Sequence, residues 1–203
     1  MIVEFGELDQ QWALKAAARL ETELFGAQAW DLQTLCHEVT DASRIYLADV
    51  VQVTNAGCNA DITKDKHSTD IAKDNQCGIY QKKQQPGAFT IMRGYAGMWH
   101  AESQAEITTI GVVKRFQRNG IAKNLLDSLI GYAHHHDVRR IKLEVRVDNE
   151  PAKHLYHSSG FQGIGLLRHY YQPEDVDAVE MALDLEPHIM GFSSEKQNME
   201  RQQ

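Results

Sequence analysis

Apolar residues recur at helical spacing in four stretches of the chain. The first predicts a helix over Asp9–Phe25 that stops at Gly26, and its apolar stripe consists of Trp12, Ala16, Leu20 and Leu24. A second helix is predicted to start at the N-cap Asp31, with Leu32, Leu35 and Val39 along one face. A third is predicted over Gly120–His135, and a short fourth helix begins near Pro151 and ends before Gly160.

Between these helices the pattern favours strands. The stretch from Ile141 to Val147 alternates apolar and polar residues, which predicts a strand with one buried face. Enrichment in β-branched and aromatic residues predicts further strands at Arg44–Val53, Phe89–His100, Ala105–Val113, Phe161–Leu167 and Ala178–Leu185. A loop over Arg168–Asp177 joins the last two strands. The alternation of strands and helices predicts a mixed α/β fold.

Length and composition predict a single domain. The chain has 203 residues, of which 42% are hydrophobic, enough for one core over residues 1–185. The segment Thr54–Gly87 is rich in Asn, Asp, Lys and Gln, and we interpret it as a mobile insertion that adds little to that core. Residues 186–203 form a polar C-terminal tail that we expect to fray.

Charge and targeting signals exclude several classes of protein. The net charge of -7 has the wrong sign for holding the phosphates of duplex nucleic acid, whereas it suits a cationic peptide or amine. Because no apolar run is long enough to cross a bilayer and Met1–Asp9 lacks the features of a signal peptide, we expect a cytoplasmic protein without a membrane partner.

Metal and redox chemistry are not indicated. The three cysteines, Cys36, Cys58 and Cys77, form no CxxC pair, so free thiols are expected. His134, His135 and His136 are consecutive, point in different directions and suit the C-terminus of a helix. A zinc site from Cys58, His67 and Cys77 matches no standard spacing. We therefore expect no metal.

One turn has the features of a phosphate site. The run TIGVVKRFQRNGIAK, from Thr109 to Lys123, reads as a strand followed by a helix whose first turn is Arg118–Lys123. The unpaired N–H groups at a helix start bind diphosphate, Gly120 lets a ligand come close, and Arg118 and Lys123 can add positive charge. The alternative is that Gly120 is only a turn residue and the cations are solvated.

The same run resembles the (Q/R)xxGx(G/A) signature of the GNAT acetyltransferases. The matching residues are Gln117, Arg118, Asn119, Gly120, Ile121 and Ala122, with Ala in place of the commoner final Gly. Downstream, LEVRVDNEPAKHLYHSSGF and RHYYQPEDVDAVEMAL resemble the bacterial ribosomal-protein-alanine N-acetyltransferases, the RimI-like branch. The resemblance implies the GNAT fold, a splayed and mostly antiparallel sheet flanked by helices, with acetyl-coenzyme A as the acetyl donor.

The resemblance also implies roles for individual residues. It makes Glu144 the proton acceptor, Tyr156 the acid for the departing thiolate, and Asn149 a side-chain contact to the cofactor. The main chain of Ile110, Gly111 and Val112 would hold the pantetheine arm, and the N–H near Gly111 or Val112 would hold the oxyanion. Tyr170 and Tyr171 would line the acceptor site. Without the resemblance, Glu144 can belong to an exposed polar strand face, and Tyr156 can be a packing residue.

Three functions remain open at this point. The resemblance favours acetylation of a protein N-terminus, the N-terminal alanine of a small-subunit ribosomal protein. One alternative is a GNAT enzyme that acetylates a small amine, a lysine side chain or an antibiotic. The other is a non-catalytic sensor of acyl-coenzyme A. Neither the oligomeric state nor the order of the insertion follows from the sequence.

Overall fold

The computed structural model describes residues 1–54, 80–82 and 88–186. Four α-helices lie in these parts of the chain: α1 (Gln10–Phe25), α2 (Leu32–Thr40), α3 (Ile121–His135) and α4 (Glu150–Ser158). Asp9 caps α1 by accepting the N–H of Trp12 at 2.8 Å, and Asp31 caps α2 by accepting the N–H of Thr34 at 2.7 Å. Both caps satisfy a backbone donor that the helix itself leaves unpaired.

Eight strands form one sheet. They are β1 (Ile2–Glu4), β2 (Arg44–Thr54), β3 (Tyr80–Lys82), β4 (Ala88–Ala101), β5 (Gln104–Val112), β6 (Arg140–Arg146), β7 (Gln162–Tyr171) and β8 (Val176–Asp184). The strand order is β1-β2-β4-β5-β6-β8-β7, and β3 pairs with β4 beside this path. Every pairing is antiparallel except β5 with β6. This confirms the predicted mixed α/β fold and its mostly antiparallel sheet.

The two middle strands separate partway along the sheet. The parallel pairing of β5 with β6 covers three residues of each strand, ending at Glu106 and Lys142. From there β5 continues to Val112 and β6 continues to Arg146 without pairing to each other. The result is a gap between two strands at the centre of the molecule, as the expected splayed sheet requires.

Each face of the sheet has its own hydrophobic core. On one face α3 packs with Leu125, Leu126 and Leu129, all fully buried, against the inward side chains of β5 and β6. On the other face α1 and α2 pack against β2 and β4. Because α1 and α2 lie over one half of the sheet, the polar side chains of β6 on that face keep partial exposure. The fold thus leaves open the part of the sheet where the functional candidates lie.

Several sequence predictions need correction. Strand β1 was missed, because three residues are too short for a periodic signal. The segment Thr54–Gly87 contains strand β3, which the polar composition concealed. Strand β7 extends to Tyr171, so Tyr170 and Tyr171 belong to its end and not to a loop over Arg168–Asp177. Cys58, His67, Cys77 and residues 187–203 lie outside the described residues.

Candidate acetyl-transfer site

The turn between β5 and α3 leaves a helix N-terminus open. Gly120 is the N-cap residue of α3, has φ +76 and supplies no side-chain cap. The first N–H groups of α3, including those of Ile121, Ala122 and Lys123, therefore lack both a helical acceptor and this cap. A Cβ built on Gly120 meets no atom within 4 Å, so the space in front of these groups is open. This geometry suits a diphosphate.

The residues before Gly120 shape the turn. Asn119 donates its side-chain amide to the carbonyl oxygens of Phe116 and Gln117, both at 3.1 Å. Arg118 has φ +64 and lies outside the helix, so its predicted place in the first turn of α3 was wrong, whereas the helix predicted over Gly120–His135 agrees with α3 to within one residue. The positive φ of Arg118 and of Gly120 keeps both residues out of the right-handed helix, which begins at Ile121. Asn119 therefore stabilises the turn through its side chain, whereas the exposed Arg118 is available to a ligand's charge.

Lys123 lies in the first turn of α3, as predicted, and its ammonium group has a partner there. It forms an ion pair with Asp127 one helical turn further along α3, and both side chains are substantially exposed. Its charge is therefore shared with a carboxylate instead of standing alone at the open end of the helix. Such exposed pairs are weak, so a phosphate can still draw the ammonium group away.

The diverging part of β5 presents main-chain groups to the gap. Gly111 pairs with Tyr95 of β4, and the N–H of Val113 donates to the carbonyl oxygen of Arg93 at 2.9 Å. Since successive N–H groups of a strand point to opposite edges, those of Val112 and Ile110 face the gap, whereas that of Gly111 faces β4. The predicted oxyanion donor near Gly111 or Val112 is therefore better matched by Val112.

Gly111 has a packing reason to be glycine. A Cβ at this position would lie 3.0 Å from the Leu24 side chain of α1 and 3.0 Å from the Tyr95 ring. The residue thus lets α1 approach β5 closely. Gly111 thus has a packing role between Ile110 and Val112, whose N–H groups face the gap.

Glu144 lies on β6 at the edge of the gap. Its side chain is half-buried and stands directly opposite Glu180 of β8. Burial raises the pKa of the Glu144 carboxyl above its usual value, and the negative charges of Glu106 and Glu180 raise it further, whereas Lys142 lowers it. Lys142 is engaged with Glu180 at 2.8 Å. A carboxylate with a raised pKa is a better proton acceptor than an ordinary one.

Tyr156 approaches β6 from the opposite face of the sheet. It lies on α4, is 8% exposed, and its ring packs beside Phe161 with centroids 5.8 Å apart. Burial, and to a lesser degree the nearby Tyr171, raise the pKa of the Tyr156 hydroxyl. The group therefore stays protonated at neutral pH, which a proton donor requires.

Asn149 is the N-cap residue of α4. Its side-chain oxygen accepts the N–H of Ala152 at 3.2 Å, and its own N–H donates to the carbonyl of Arg146. The cap uses the side-chain oxygen, and the contact of Asn149 with the cofactor stays a prediction. The cap places Asn149 at the point where β6 turns into α4.

Tyr170 and Tyr171 end β7 with their rings 5.1 Å apart in an edge-on arrangement. Tyr171 donates its hydroxyl to the main-chain carbonyl of Glu144 at 3.4 Å, and the guanidinium of Arg146 lies 5.5 Å from its ring centre. Burial is the main cause that raises the pKa of Tyr171 to about 12. The pKa of Tyr170 is raised by burial and then by the charges of Glu144 and Glu106. The two tyrosines therefore share one groove with Glu144.

The sequence predictions missed part of this groove. Glu106 and Glu180 join Glu144 on the same face, but only the strand register reveals this arrangement. A bridge also connects the segment after α1 with the turn between β7 and β8: Gln28 donates to Glu174 at 2.7 Å, and Arg146 lies 3.9 Å from the same carboxylate. The groove is consequently acidic on its floor and aromatic on one wall.

Two kinds of feature are absent from the described residues. Within residues 1–54, 80–82 and 88–186, no three His, Cys, Asp or Glu side chains lie close enough together to hold a metal ion. In the same parts of the chain, no helix is both long and apolar enough to cross a bilayer.

An uncapped helix start, a strand with free main-chain donors and a carboxylate and tyrosine on either side of β6 are arranged around one gap. The family model described as acetyltransferase (GNAT) family matches residues 60–161, half of the chain. The chain therefore belongs to the GNAT acetyltransferase family, and the resemblance noted from the sequence is confirmed. The match begins inside the polar segment Thr54–Gly87.

Individual relatives agree with this family. The chain is 41% identical over 95 residues to the N-alpha-acetyltransferase RimI of Mycobacterium tuberculosis, covering 45% of this chain and 58% of the relative. It is 37% identical over 84 residues to the [ribosomal protein bS18]-alanine N-acetyltransferase of Escherichia coli K12, covering 40% of this chain and 57% of the relative. The chain thus spans less than two thirds of the curated relatives it matches.

Solved structures agree on the fold. The ribosomal-protein-S18-alanine N-acetyltransferase from Escherichia coli superposes with a TM-score of 0.63 at 22% identity, covering 95% of this chain and 99% of that one. Arabidopsis thaliana NAA60 in complex with acetyl-CoA gives a TM-score of 0.63 at 16% identity, covering 91% of this chain and 98% of that one. At these identities the likeness shows the shared fold alone.

Proposed function

We propose that this protein transfers the acetyl group of acetyl-coenzyme A to the α-amino group of a protein N-terminus. The observation that carries the proposal is the gap between β5 and β6, which has the open start of α3 at one end and Glu144 and Tyr156 on either side of β6. Family membership supports the acetyl donor, because this fold is shared with acetyltransferases.

The cofactor contacts follow from main-chain geometry. The diphosphate would lie on the first N–H groups of α3, where the positive end of the helix dipole favours negative charge. The pantetheine arm would extend along β5 as an added strand and accept hydrogen bonds from Ile110 and Val112. Arg118 and the Asn149 amide would complete the contacts, and the bound molecule supplies the reactive thioester.

Glu144 and Tyr156 would handle the two protons of the reaction. An α-amino group titrates near pH 8, so it needs only modest help to become neutral. Glu144 takes the amine proton through a water molecule as the new C–N bond forms and the C–S bond breaks. The N–H of Val112 stabilises the charge on the acetyl oxygen, and Tyr156 gives its proton to the leaving thiolate.

The acceptor groove favours a cationic N-terminal segment. Glu106, Glu144 and Glu180 make its floor acidic, and Tyr170 and Tyr171 offer flat apolar surfaces to a peptide chain. A ribosomal protein with an N-terminal alanine is the proposed acceptor, supported by the name of the Escherichia coli relative. We place the reaction in the cytoplasm, where the relatives' ribosomal acceptor is made.

The test is thiol release from acetyl-coenzyme A with a panel of acceptors. We expect turnover on peptides with a free N-terminal alanine followed by arginine, and much less on free lysine, small amines or aminoglycoside antibiotics. Preference for a free amine would replace this proposal with a small-amine acetyltransferase.

A second comparison separates an enzyme from a sensor. Glu144→Gln should bind acetyl-coenzyme A as wild type does and lose about 10²- to 10⁴-fold in kcat, the share that general-base catalysis commonly supplies. Tight binding of acetyl-coenzyme A without turnover of any amine by the wild-type protein would indicate a sensor.

A further inference from the structure

Strand β7 carries a wide bulge just before its two tyrosines. Leu167 pairs with Ala178 and Tyr171 pairs with Val176, so three residues of β7, Arg168–Tyr170, stand opposite the single residue Asp177. In a regular strand, consecutive side chains point to opposite faces of the sheet. A bulge removes this restriction and redirects a side chain. Here it lets both tyrosines turn toward β6.

His169 is the centre of the bulge, and three side chains hold it: Gln172 and Asp175 in the following turn, and Asp177 in β8. Its backbone φ is +57, a conformation that a residue with a Cβ rarely adopts. Its N–H donates to Asp177 Oδ1 at 2.8 Å, and its carbonyl accepts from the Gln172 side chain at 3.0 Å. Its ring Nδ1 lies 2.6 Å from Asp175 Oδ1. The unusual backbone is thus fastened at the N–H, at the carbonyl and at the ring.

Asp177 makes the contact that defines the bulge. It is the single residue that stands opposite Arg168–Tyr170. Its side chain accepts the N–H of His169, which has no partner in the pairing of β7 with β8. Its own carbonyl accepts the N–H of Val147 at 3.0 Å, which joins the bulge to the end of β6. Asp175 and Gln172 are exposed, whereas Asp177 is partly buried. A charge-assisted hydrogen bond to backbone is stronger than a neutral one.

The bulge determines where the aromatic wall of the groove stands. Tyr171 reaches the carbonyl of Glu144, and Tyr170, 49% exposed, presents its ring beside Tyr171 above the acidic floor. If the bulge straightened by pairing one more residue with β8, Tyr170 would move to the other face of the sheet. The groove would then lose one wall while the gap between β5 and β6 stayed intact.

We propose that Asp177 is a positioning residue for the acceptor: by holding the N–H of His169 it keeps Tyr170 and Tyr171 together in the groove. Asp175 acts in the same direction through the histidine ring and contributes less, because it restrains only the side chain. This inference rests on the proposed transfer to a peptide acceptor.

The test is steady-state kinetics of Asp177→Ala, Asp177→Asn and Asp175→Asn with varied N-terminal peptide at saturating acetyl-coenzyme A. Asp177→Ala should raise the peptide KM about tenfold, as expected for one lost hydrogen bond to a charged group, with kcat little changed. Asp177→Asn keeps an accepting oxygen and should recover most of the loss. Asp175→Asn should have a smaller effect than Asp177→Ala.

The matched control is Asp184→Ala on the same strand. Asp184 is exposed and pairs with Arg140 at 3.1 Å at the far end of β8, so its removal should leave the peptide KM unchanged. Calorimetry with acetyl-coenzyme A should give the same Kd for every variant, which also shows that each is folded. If Asp177→Ala does not fold, Asp177→Leu, which keeps the size of the side chain but has no accepting oxygen, should raise the peptide KM to the same extent, and a wild-type peptide KM in that variant would overturn the inference.

The outcomes separate this inference from the proposed function. A wild-type protein that turns over peptide while Asp177→Ala keeps the wild-type peptide KM overturns the positioning role alone. A parallel loss of acetyl-coenzyme A affinity in Asp177→Ala also overturns it, because the residue would then be generally structural. A wild-type protein that neither binds nor acetylates any peptide overturns the proposed function and this inference with it.

Discussion

Glu21 is a buried carboxylate whose removal should destabilise the fold measurably. The residue lies on α1 and is 3% exposed. Its Oε1 accepts the hydroxyl groups of Tyr95 and of Thr109, the latter at 3.2 Å, and its Oε2 accepts the N–H of Trp30 at 3.0 Å. One side chain thus connects α1, the segment before α2, and the two strands β4 and β5.

The cost of Glu21→Ala follows from these three bonds. Each hydrogen bond to a charged group contributes about 1.5–3 kcal/mol. The hydroxyls of Tyr95 and Thr109 are 3.3 Å apart and can bond to each other after the truncation, so only the Trp30 N–H loses its partner outright. We therefore expect the free energy of unfolding to fall by about 2–4 kcal/mol, less than three full bonds.

Guanidinium chloride unfolding followed by circular dichroism measures this loss. The matched control is Glu23→Ala, an exposed position on the same helix with the same change of charge, which should stay within about 0.5 kcal/mol of wild type. Glu21→Gln keeps the size of the side chain and should lie between the two. Equal unfolding midpoints for Glu21→Ala and Glu23→Ala would show that the hydrogen bonds of Glu21 do not stabilise the fold.

Three further predictions concern the site. Gly120→Ala should weaken acetyl-coenzyme A binding in calorimetry and lower the free energy of unfolding by about 1 kcal/mol, because φ is +76. Gly131→Ala, inside α3 with open space around it, should raise the free energy of unfolding by about 0.5–1 kcal/mol. Equal binding by both variants would contradict the diphosphate contact. Glu106→Gln removes a negative charge that raises the pKa of Glu144, so the acidic limb of the kcat profile at saturating peptide should move to lower pH, and an unmoved limb would argue against Glu144 as the base. Tyr156→Phe should lower kcat by about 10²- to 10⁴-fold with peptide KM nearly unchanged in steady-state assays, and wild-type kcat would exclude it as the proton donor.

The helices and the central strands could be predicted from the sequence because their signals are local. The stripe of α3 and the alternation of β6 are periodic over enough residues to identify each element and its buried face. The N-caps Asp9 and Asp31 are equally local, since a capping side chain bonds within three residues of itself. The structure places all of these close to their predicted bounds.

The missing parts depend on contacts between distant residues. Strand β1 gains its identity from pairing with β2, and β3 from pairing with β4. The acidic floor of the groove needs the register that sets Glu144 opposite Glu180. Arg118 was assigned to the first turn of α3 because the sequence does not reveal that it adopts a left-handed backbone.

The tyrosine pair illustrates the same limit. The sequence predicted Tyr170 and Tyr171 in the loop Arg168–Asp177 between the last two strands, because a regular strand would send adjacent side chains to opposite faces and no local pattern indicates an exception. The structure keeps them in β7 by means of a bulge that residues 169, 175 and 177 hold together. No single-strand pattern carries that information.

The most direct test of the account is to locate the acetyl group by mass spectrometry on a peptide that starts with alanine and arginine and also contains an internal lysine. After incubation with this protein and acetyl-coenzyme A, we expect one acetyl group on the α-amino group, and no product from the same peptide with a blocked N-terminus. Acetylation of the lysine side chain, or no product at all from a folded protein that binds acetyl-coenzyme A, would contradict it.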